Sequence, residues 1–238
     1  SLLHLECLFG MVNNPDSNLR LIQEFISYNP SRLPSPAQWV TVNRLRTVDS
    51  YTHVWWMSKS DYPKADNSKV LRPYSKSMKK LLKNQKFNAG KRPSQHHISE
   101  KAFAKDHGGS IAHNLFELES IDDKREVRLP HNVLSFSNTN SNDYFLRKCR
   151  EEKITPHPAR MHGGLINFFT EFLTDKGDYI LDPFAGSNTT GYVAEKLKRN
   201  WVSVEINEDY AYDSIIRFDD PDLETILKIN PTKLRGVA

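Results

Sequence analysis

Tyr179 to Thr190 reads YILDPFAGSNTT, and the interpretation of this stretch decides the fold. Tyr179, Ile180 and Leu181 form a short apolar, β-favouring run that stops at Asp182, since Pro183 has no N–H to give a central ladder. Gly186 stands where backbone must turn tightly or approach a ligand, and Ser187, Asn188, Thr189 and Thr190 offer capping oxygens to the following GYVAEKLKRN. Val193, Ala194 and Leu197 recur there at helical spacing. A second β-rich run, Trp201 to Ile206, then carries Glu205, 23 residues beyond Asp182. In nucleotide-binding α/β sheets an acid at about that distance, at the tip of the next strand, accepts hydrogen bonds from ribose hydroxyls. The pattern is strand, glycine turn, helix, strand, with a cofactor site at the turn.

A dinucleotide fingerprint needs three glycines at fixed spacing, and this turn has one before Asn188, so a nicotinamide cofactor fits less well. A cofactor without phosphates, whose cationic and amino-acid ends want carboxylates and backbone amides, fits better, and S-adenosylmethionine is such a molecule. The bland alternative is a packed βαβ unit with no ligand.

LDPFAGSNTT resembles the cofactor motif of the amino-group DNA methyltransferases of the β class, usually DPFxGSGTT, with Asn188 in place of the second glycine. Asn is the non-glycine residue most at ease with positive φ, so the turn survives the exchange. The resemblance implies cofactor contacts from Asp182, Phe184, Ala185, Gly186, Ser187, Asn188, Thr189, Thr190 and Glu205. A His-Pro turn precedes the same motif in the family, which implies that His157, Pro158 and Arg160 line the methionine end. Read from residues alone, those three are equally a plain helix entry before LINFFTEFL, whose Leu165, Ile166, Phe168, Phe169, Phe172 and Leu173 face a core.

Charge is segregated along the chain. The formal net charge is +4, yet residues 64–105 hold twelve Lys and Arg against Asp66 and Glu100. A basic face interleaved with Tyr74, Phe87, His96, His97 and Phe103 is the footprint of a phosphate-binding surface. The competing reading is a solvated lysine helix at KSMKKLLKNQK, with Met78, Leu81 and Leu82 as its apolar side. KRPSQHHISEKAFAKDHGGS, from Lys91 to Ser110, is polar and glycine-punctuated, and resembles the target-recognition segment of PvuII-like cytosine-N4 enzymes. That resemblance implies DNA contacts from Lys91, Arg92, Ser94, His96, His97, Lys105 and Ser110. His96 and His97 lack Cys or carboxylate partners at metal-ligand spacing, so no metal is expected.

The remaining stretches fill in the frame. SLLHLECLFGMV predicts a core-facing helix, and LRLIQEFISY and THVWWMSK predict strands, the latter with Trp55 and Trp56 on opposite covered faces. Asn29-Pro30 is read as structural, and SFSNTNSND, from Ser135 to Asp143, as a polar linker. Residues 144–152 predict a short helix, and NEDYAYDSIIRF a terminal one with Tyr210, Ile215 and Phe218 packing. Two cysteines without disulfide spacing fit a reducing cytosol, and no apolar run reaches membrane-spanning length.

The expected architecture is α/β: an incomplete Rossmann-like methyltransferase sheet with a basic, loop-rich insert. Residues 1–63 form the C-terminal part of the catalytic half-sheet, 64–143 the target-recognition insert and 144–238 the S-adenosylmethionine-binding half. The family resemblance implies transfer of a methyl group to the exocyclic N4 of a flipped cytosine in duplex DNA, within a prokaryotic restriction-modification system that includes a cognate endonuclease. Adenine-N6 transfer and a non-catalytic DNA-binding remnant are the alternatives. Cytosine-5 chemistry needs a Pro-Cys nucleophile, but Cys7 follows Glu6 and Cys149 follows Lys148. No Pro-Pro pair occurs, so the family's Ser/Asp-Pro-Pro-aromatic string is not among these residues. The expectation is a polypeptide that is N-terminally incomplete, binds DNA weakly, transfers no methyl group alone and has a gap with unpaired backbone in its central sheet, between the Tyr179 strand and the Ile26 strand.

Overall fold

The computed structural model describes residues 2–29, 32–85, 90–91, 93–95, 97–99, 105–119, 134–137 and 143–220. Helix α1 (Leu3–Asn13) precedes strands β1 (Arg20–Tyr28) and β2 (Tyr51–Ser58), then helix α2 (Lys76–Asn84) and the short strands β3 (Gly90–Lys91) and β4 (His97–Ile98). Strands β5 (Leu115–Glu119) and β6 (Leu134–Ser137) follow, then helices α3 (Tyr144–Glu151) and α4 (Gly163–Leu173). The chain continues through β7 (Tyr179–Asp182), α5 (Thr189–Lys196), β8 (Asn200–Ser203) and α6 (Glu208–Asp213) into a 3-10 turn at Ser214–Asp219.

Alternation along β1 and β2 sorts side chains onto two faces. Phe25 pairs with Val54 on one face, and with Val70, Leu165, Phe168 and Phe172 it makes the core, against which Trp56 and Phe169 also pack. The aromatic rings meet edge-on: Phe25 and Phe169 at 5.0 Å, Trp56 and Phe172 at 5.1 Å. On the opposite face Trp55 Nε1 donates to Glu24 Oε1 at 3.2 Å, so both tryptophans are half-buried on opposite faces, as their spacing predicts.

Helix α1 forms where expected but does not face a core. None of its residues is buried, and Leu3, Phe9 and Met11 are exposed. It meets the sheet through a polar contact, His4 stacked on His53 at 4.8 Å, on the face away from Phe25, so its apolar positions find no core to enter.

The Tyr179 and Ile26 strands lie in separate sheets, as the expected gap requires, but the Ile26 side of that gap is paired over three residues. Ile26, Ser27 and Tyr28 run parallel to Leu115, Phe116 and Glu117, and β6 extends the sheet, giving the order β2-β1-β5-β6. Unpaired backbone on a strand edge is a template for another strand, and here the chain supplies one from residues expected in the insert. Ser135 to Ser137, the start of the expected polar linker, lie within β6, while residues 138–142 are outside the described set. Strands β7 and β8 form a separate parallel pair, from Tyr179 against Asn200 to Asp182 against Ser203. Helix α4 joins the two sheets: Leu165, Phe168 and Phe172 enter the β1–β2 core, and the helix also packs against α5. Among the described residues no helix is long and apolar enough to cross a membrane.

Candidate functional site

Strand β7 ends at Asp182, whose Oδ1 accepts the Phe184 N–H at 3.0 Å and turns the chain back toward the end of β8. There Val204 N–H donates to Asp182 O at 2.8 Å and Ala185 N–H to Val204 O at 2.9 Å. Gly186 is buried at φ +52°, and a Cβ on it would lie 3.1 Å from His157 Nδ1 and 3.2 Å from His157 Cγ. This position needs glycine on both counts, conformation and space.

Asn188 adopts the left-handed conformation at φ 51° and ψ 44°, as its chemistry allows. It also caps α5: its Oδ1 accepts the Gly191 N–H at 3.0 Å and the Ser203 hydroxyl at 2.7 Å. Gly191 must therefore stay small, because its Cβ would sit 2.3 Å from that same oxygen. Asn188→Ala is expected to destabilise the protein by about 2–3 kcal/mol, losing the cap at about 1 kcal/mol and adding left-handed strain of about 1–2 kcal/mol. Asn188→Gly relieves that strain and is expected to cost about 1 kcal/mol or less. Urea denaturation of the two variants separates them.

Glu205 reaches back across the turn. Its Oε2 accepts Gly186 N–H at 2.7 Å and its Oε1 accepts Asn207 N–H at 3.0 Å. The Asn207 amide first, with the Gly186 amide, holds this carboxyl below the usual glutamate range, so it is an anion at neutral pH. Each carboxylate oxygen retains further acceptor capacity for a ligand hydroxyl. His157 lies against Gly186 with Tyr210 edge-on at 4.7 Å, and Arg160 Nη1 donates to His157 O at 3.0 Å. Pro158 and Arg160 are exposed, and so is Phe184, at 89%.

The turn suits a phosphate-free ligand with hydroxyls for an anionic acceptor, Glu205. Ser187 Oγ is buried with no hydrogen-bond partner among the described residues, whereas the Gly191 N–H in the first turn of α5 is already taken by Asn188 Oδ1. Buried polar atoms are normally satisfied, so an acceptor group entering this turn would complete it. The residues present fit S-adenosylmethionine.

The structure gathers Asp182 to Thr190, Glu205 and His157 in one place. It adds three residues that the motif did not reveal: Ser203, Tyr210 as the neighbour of His157, and Arg217, whose Nε donates to the Ser187 carbonyl. A buried Asn in a turn needs a partner, so a hydroxyl on the next strand could have been sought, but nothing near Arg217 in sequence signals its role.

In the basic segment, Lys91 in β3 pairs with His97 in β4, with Ser94 in the turn between, and all three are exposed. Lys105 is exposed, Ser110 pairs its backbone with Arg72 at 2.9 Å in both directions, and Arg92 and His96 lie outside the described residues. Helix α2 keeps Lys76, Lys79, Lys80 and Lys83 exposed and Met78, Leu81 and Leu82 half-buried. Lys64 and Lys69 do not belong to this basic face. Lys64 Nζ lies 2.9 Å from Asp175 Oδ2 and 2.5 Å from Asp178 Oδ2, and Lys69 Nζ 2.5 Å from Asp175 Oδ1. Two lysines that charge counting assigns to phosphate binding are paired with acids next to β7.

Lys69, and after it Lys64, pull the Asp175 carboxyl down to about 2. A carboxylate with a depressed folded-state pKa stabilises the fold above its unfolded value and loses that contribution as pH falls through the folded one. The urea midpoint of the wild type is therefore expected to drop between about pH 4 and about pH 2 more steeply than that of Asp175→Asn. The effect is modest because the pair is exposed.

Comparison with known proteins identifies the family. A family model described as DNA methylase matches residues 8–216. The chain is 43% identical over 202 residues to the type II methyltransferase M.PvuII of Proteus hauseri, covering 84% of this chain and 54% of that protein. It is similar to the solved structure of PvuII DNA methyltransferase (cytosine-N4-specific), with TM-score 0.65, 30% identity, and coverage of 99% of this chain and 61% of that one. A shorter match, 38% over 63 residues, joins 26% of the chain to 21% of the DNA adenine methyltransferase YhdJ of Escherichia coli (strain K12). The chain thus spans little more than half the length of M.PvuII. With a matched span of 8–216 and the glycine turn, Asn188 cap and Glu205 in place, the chain belongs to the N6/N4 DNA methylase family.

Proposed function

We propose that this chain is the cofactor-binding and target-recognition portion of a site-specific DNA methyltransferase that uses S-adenosylmethionine and modifies the exocyclic N4 of cytosine in duplex DNA. The observation that carries the reading is the turn at Gly186 to Asn188, closed by Glu205, with the Ser187 hydroxyl buried and unpartnered among the described residues. In this reading Asp182, Phe184, Ala185, Gly186, Ser187, Asn188, Thr189, Thr190 and Glu205 hold the cofactor, and His157, Pro158 and Arg160 flank its methionine end. S-adenosylmethionine, when bound, supplies an electrophilic methyl group. The protein's part is to hold it rigidly: Gly186 lets backbone approach, Glu205 offers an anion to sugar hydroxyls, and the Asn188 cap fixes the start of α5.

The basic segment within residues 64–143 takes duplex DNA and an extruded base, whose exocyclic amine is reachable only outside the stack. In this proposal Lys91, Arg92, Ser94, His96, His97, Lys105 and Ser110 are the residues that bind that duplex. The protein works in the bacterial cytoplasm at the nucleoid, beside a cognate endonuclease that it does not need to touch. Lys91→Ala combined with Lys105→Ala is expected to reduce the slope of log K against log salt for duplex binding by about 2, near 0.9 per phosphate contact. Lys69→Ala leaves the slope unchanged, since that lysine pairs with Asp175.

The deciding experiment is base-resolution sequencing of DNA from cells that express the whole enzyme of which this chain is a portion and cells that lack it. N4-methylcytosine at one recurring sequence supports the proposal. N6-methyladenine in its place would move the target to adenine, the reading that the YhdJ similarity favours. The same modified bases in both cell types, or none in either, would overturn it.

A further inference from the structure

Arg217 is a charged side chain in an unusual place. It sits in the 3-10 turn after α6, is 7% exposed, and makes no ion pair among the described residues. Its Nε donates to the Ser187 carbonyl, and its guanidinium carbon lies 4.0 Å from the centre of the Phe145 ring on α3. Phe145 is itself buried, and α3 is capped by Asp143, whose Oδ1 accepts Leu146 N–H at 2.7 Å. The segment around Arg217 is anchored on both sides: Phe218 stacks on Trp201 at 5.1 Å, and Tyr192 Oη donates to Asp220 Oδ2 at 3.0 Å.

We propose that Arg217 is a positioning residue for the cofactor turn, fixing the Ser187–Asn188 peptide from behind so that the turn is already shaped before a ligand arrives. The proposal rests on the reading of this turn as the S-adenosylmethionine site. Burying a guanidinium without a hydrogen-bonded carboxylate is unfavourable: desolvation lowers the Arg217 pKa although the Asp143 charge opposes it, and an apolar side chain would fill the space with a smaller desolvation penalty. What only the guanidinium provides is a planar, directional donor that can lie flat on a ring while bonding a carbonyl. That carbonyl belongs to the peptide whose N–H, on Asn188, donates to Ala185 O at 2.8 Å, so the peptide plane is held at both ends. With its orientation fixed, the neighbouring Ser187 hydroxyl stays buried in the turn and Asn188 stays in the left-handed conformation that its cap requires. Preorganisation of this kind improves affinity by removing the ordering cost from the binding step. Buried behind the turn and bonded to the Ser187 carbonyl, Arg217 acts through the turn.

The test compares Arg217→Met, Arg217→Lys and Phe145→Leu with wild type in the full chain. Amide hydrogen exchange at Gly186 to Thr190 is read against β1 and β2, alongside S-adenosylmethionine affinity by calorimetry. Arg217→Met is expected to speed exchange in the turn at least about tenfold while β1 and β2 hold, and to weaken cofactor binding about tenfold, which at 1.4 kcal/mol per decade is a modest ordering cost. Arg217→Lys keeps the charge but not the plane, and is expected to recover only part of the affinity at pH 7. It should lose that part relative to wild type as pH rises, because a buried lysine deprotonates at lower pH than a buried arginine, and burial brings Arg217 down only to about 10. Phe145→Leu shifts exchange in the same direction by less. Unchanged exchange in the turn in a folded Arg217→Met protein would overturn the proposal; if that variant does not fold, unchanged exchange in Arg217→Lys and Phe145→Leu would do so. If wild type does not bind S-adenosylmethionine, the functional reading fails, while the exchange data still decide whether Arg217 holds the turn.

Discussion

Gly186→Ala is expected to lower S-adenosylmethionine affinity by about 30-fold or more. The residue sits at φ +52°, where an L side chain costs about 1–2 kcal/mol, and its new Cβ would press on the His157 ring at 3.1–3.2 Å. His157 also meets Tyr210 edge-on with ring centres 4.7 Å apart, which narrows its room to yield. The variant turn therefore relaxes to another backbone conformation, which also carries the Gly186 N–H off Glu205. Returning to the binding conformation costs about 2 kcal/mol or more, hence the factor of about 30, at 1.4 kcal/mol per decade. Calorimetric titration measures it directly, with thermal unfolding run in parallel to show that the variant is folded. An affinity within about threefold of wild type would show that the turn does not carry the site.

Phe168→Ala is expected to destabilise the protein by about 3–5 kcal/mol, the range for a large aromatic removed from a core. Phe168 is buried and meets Phe25 at 6.3 Å, Phe169 at 5.3 Å and Phe172 at 5.8 Å. It lies on α4, the helix that joins the β1–β2 core to α5, so its loss loosens both sheets together. The urea midpoint should fall with little change in slope, and a single transition should persist. Two separated transitions would show instead that the two sheets unfold independently.

The geometry of the turn was readable because it is local. Strand, turn and helix occupy one run of sequence, and Glu205 follows on the next strand, so backbone rules place all of them together without knowledge of the rest. The same locality explains why Arg217 was not visible: it is 30 residues from Ser187 and joins it through packing on Phe145, a relation that no short pattern encodes. Charge counting failed in the same way at Lys64 and Lys69. Composition records that a lysine exists, and only folding shows that Asp175 and Asp178 lie beside it. Helix α1 illustrates the limit of periodicity, which fixes that a helix forms and which side is apolar, but not what that side meets.

From residue order alone came the element types, the turn and its Asn at positive φ, the acid opposite it, the aromatic face of α4 and the concentration of charge in residues 64–105. These depend on steric preference, hydrogen-bonding capacity and periodicity, which act over a few residues. The tertiary structure alone decided that β5 pairs with the edge of β1, that Ser203 and Arg217 lock the turn, and that two basic residues are neutralised by neighbouring acids. Each of those is a contact between distant parts of the chain, chosen by which unpaired backbone, buried carbonyl or carboxylate the fold brings within reach.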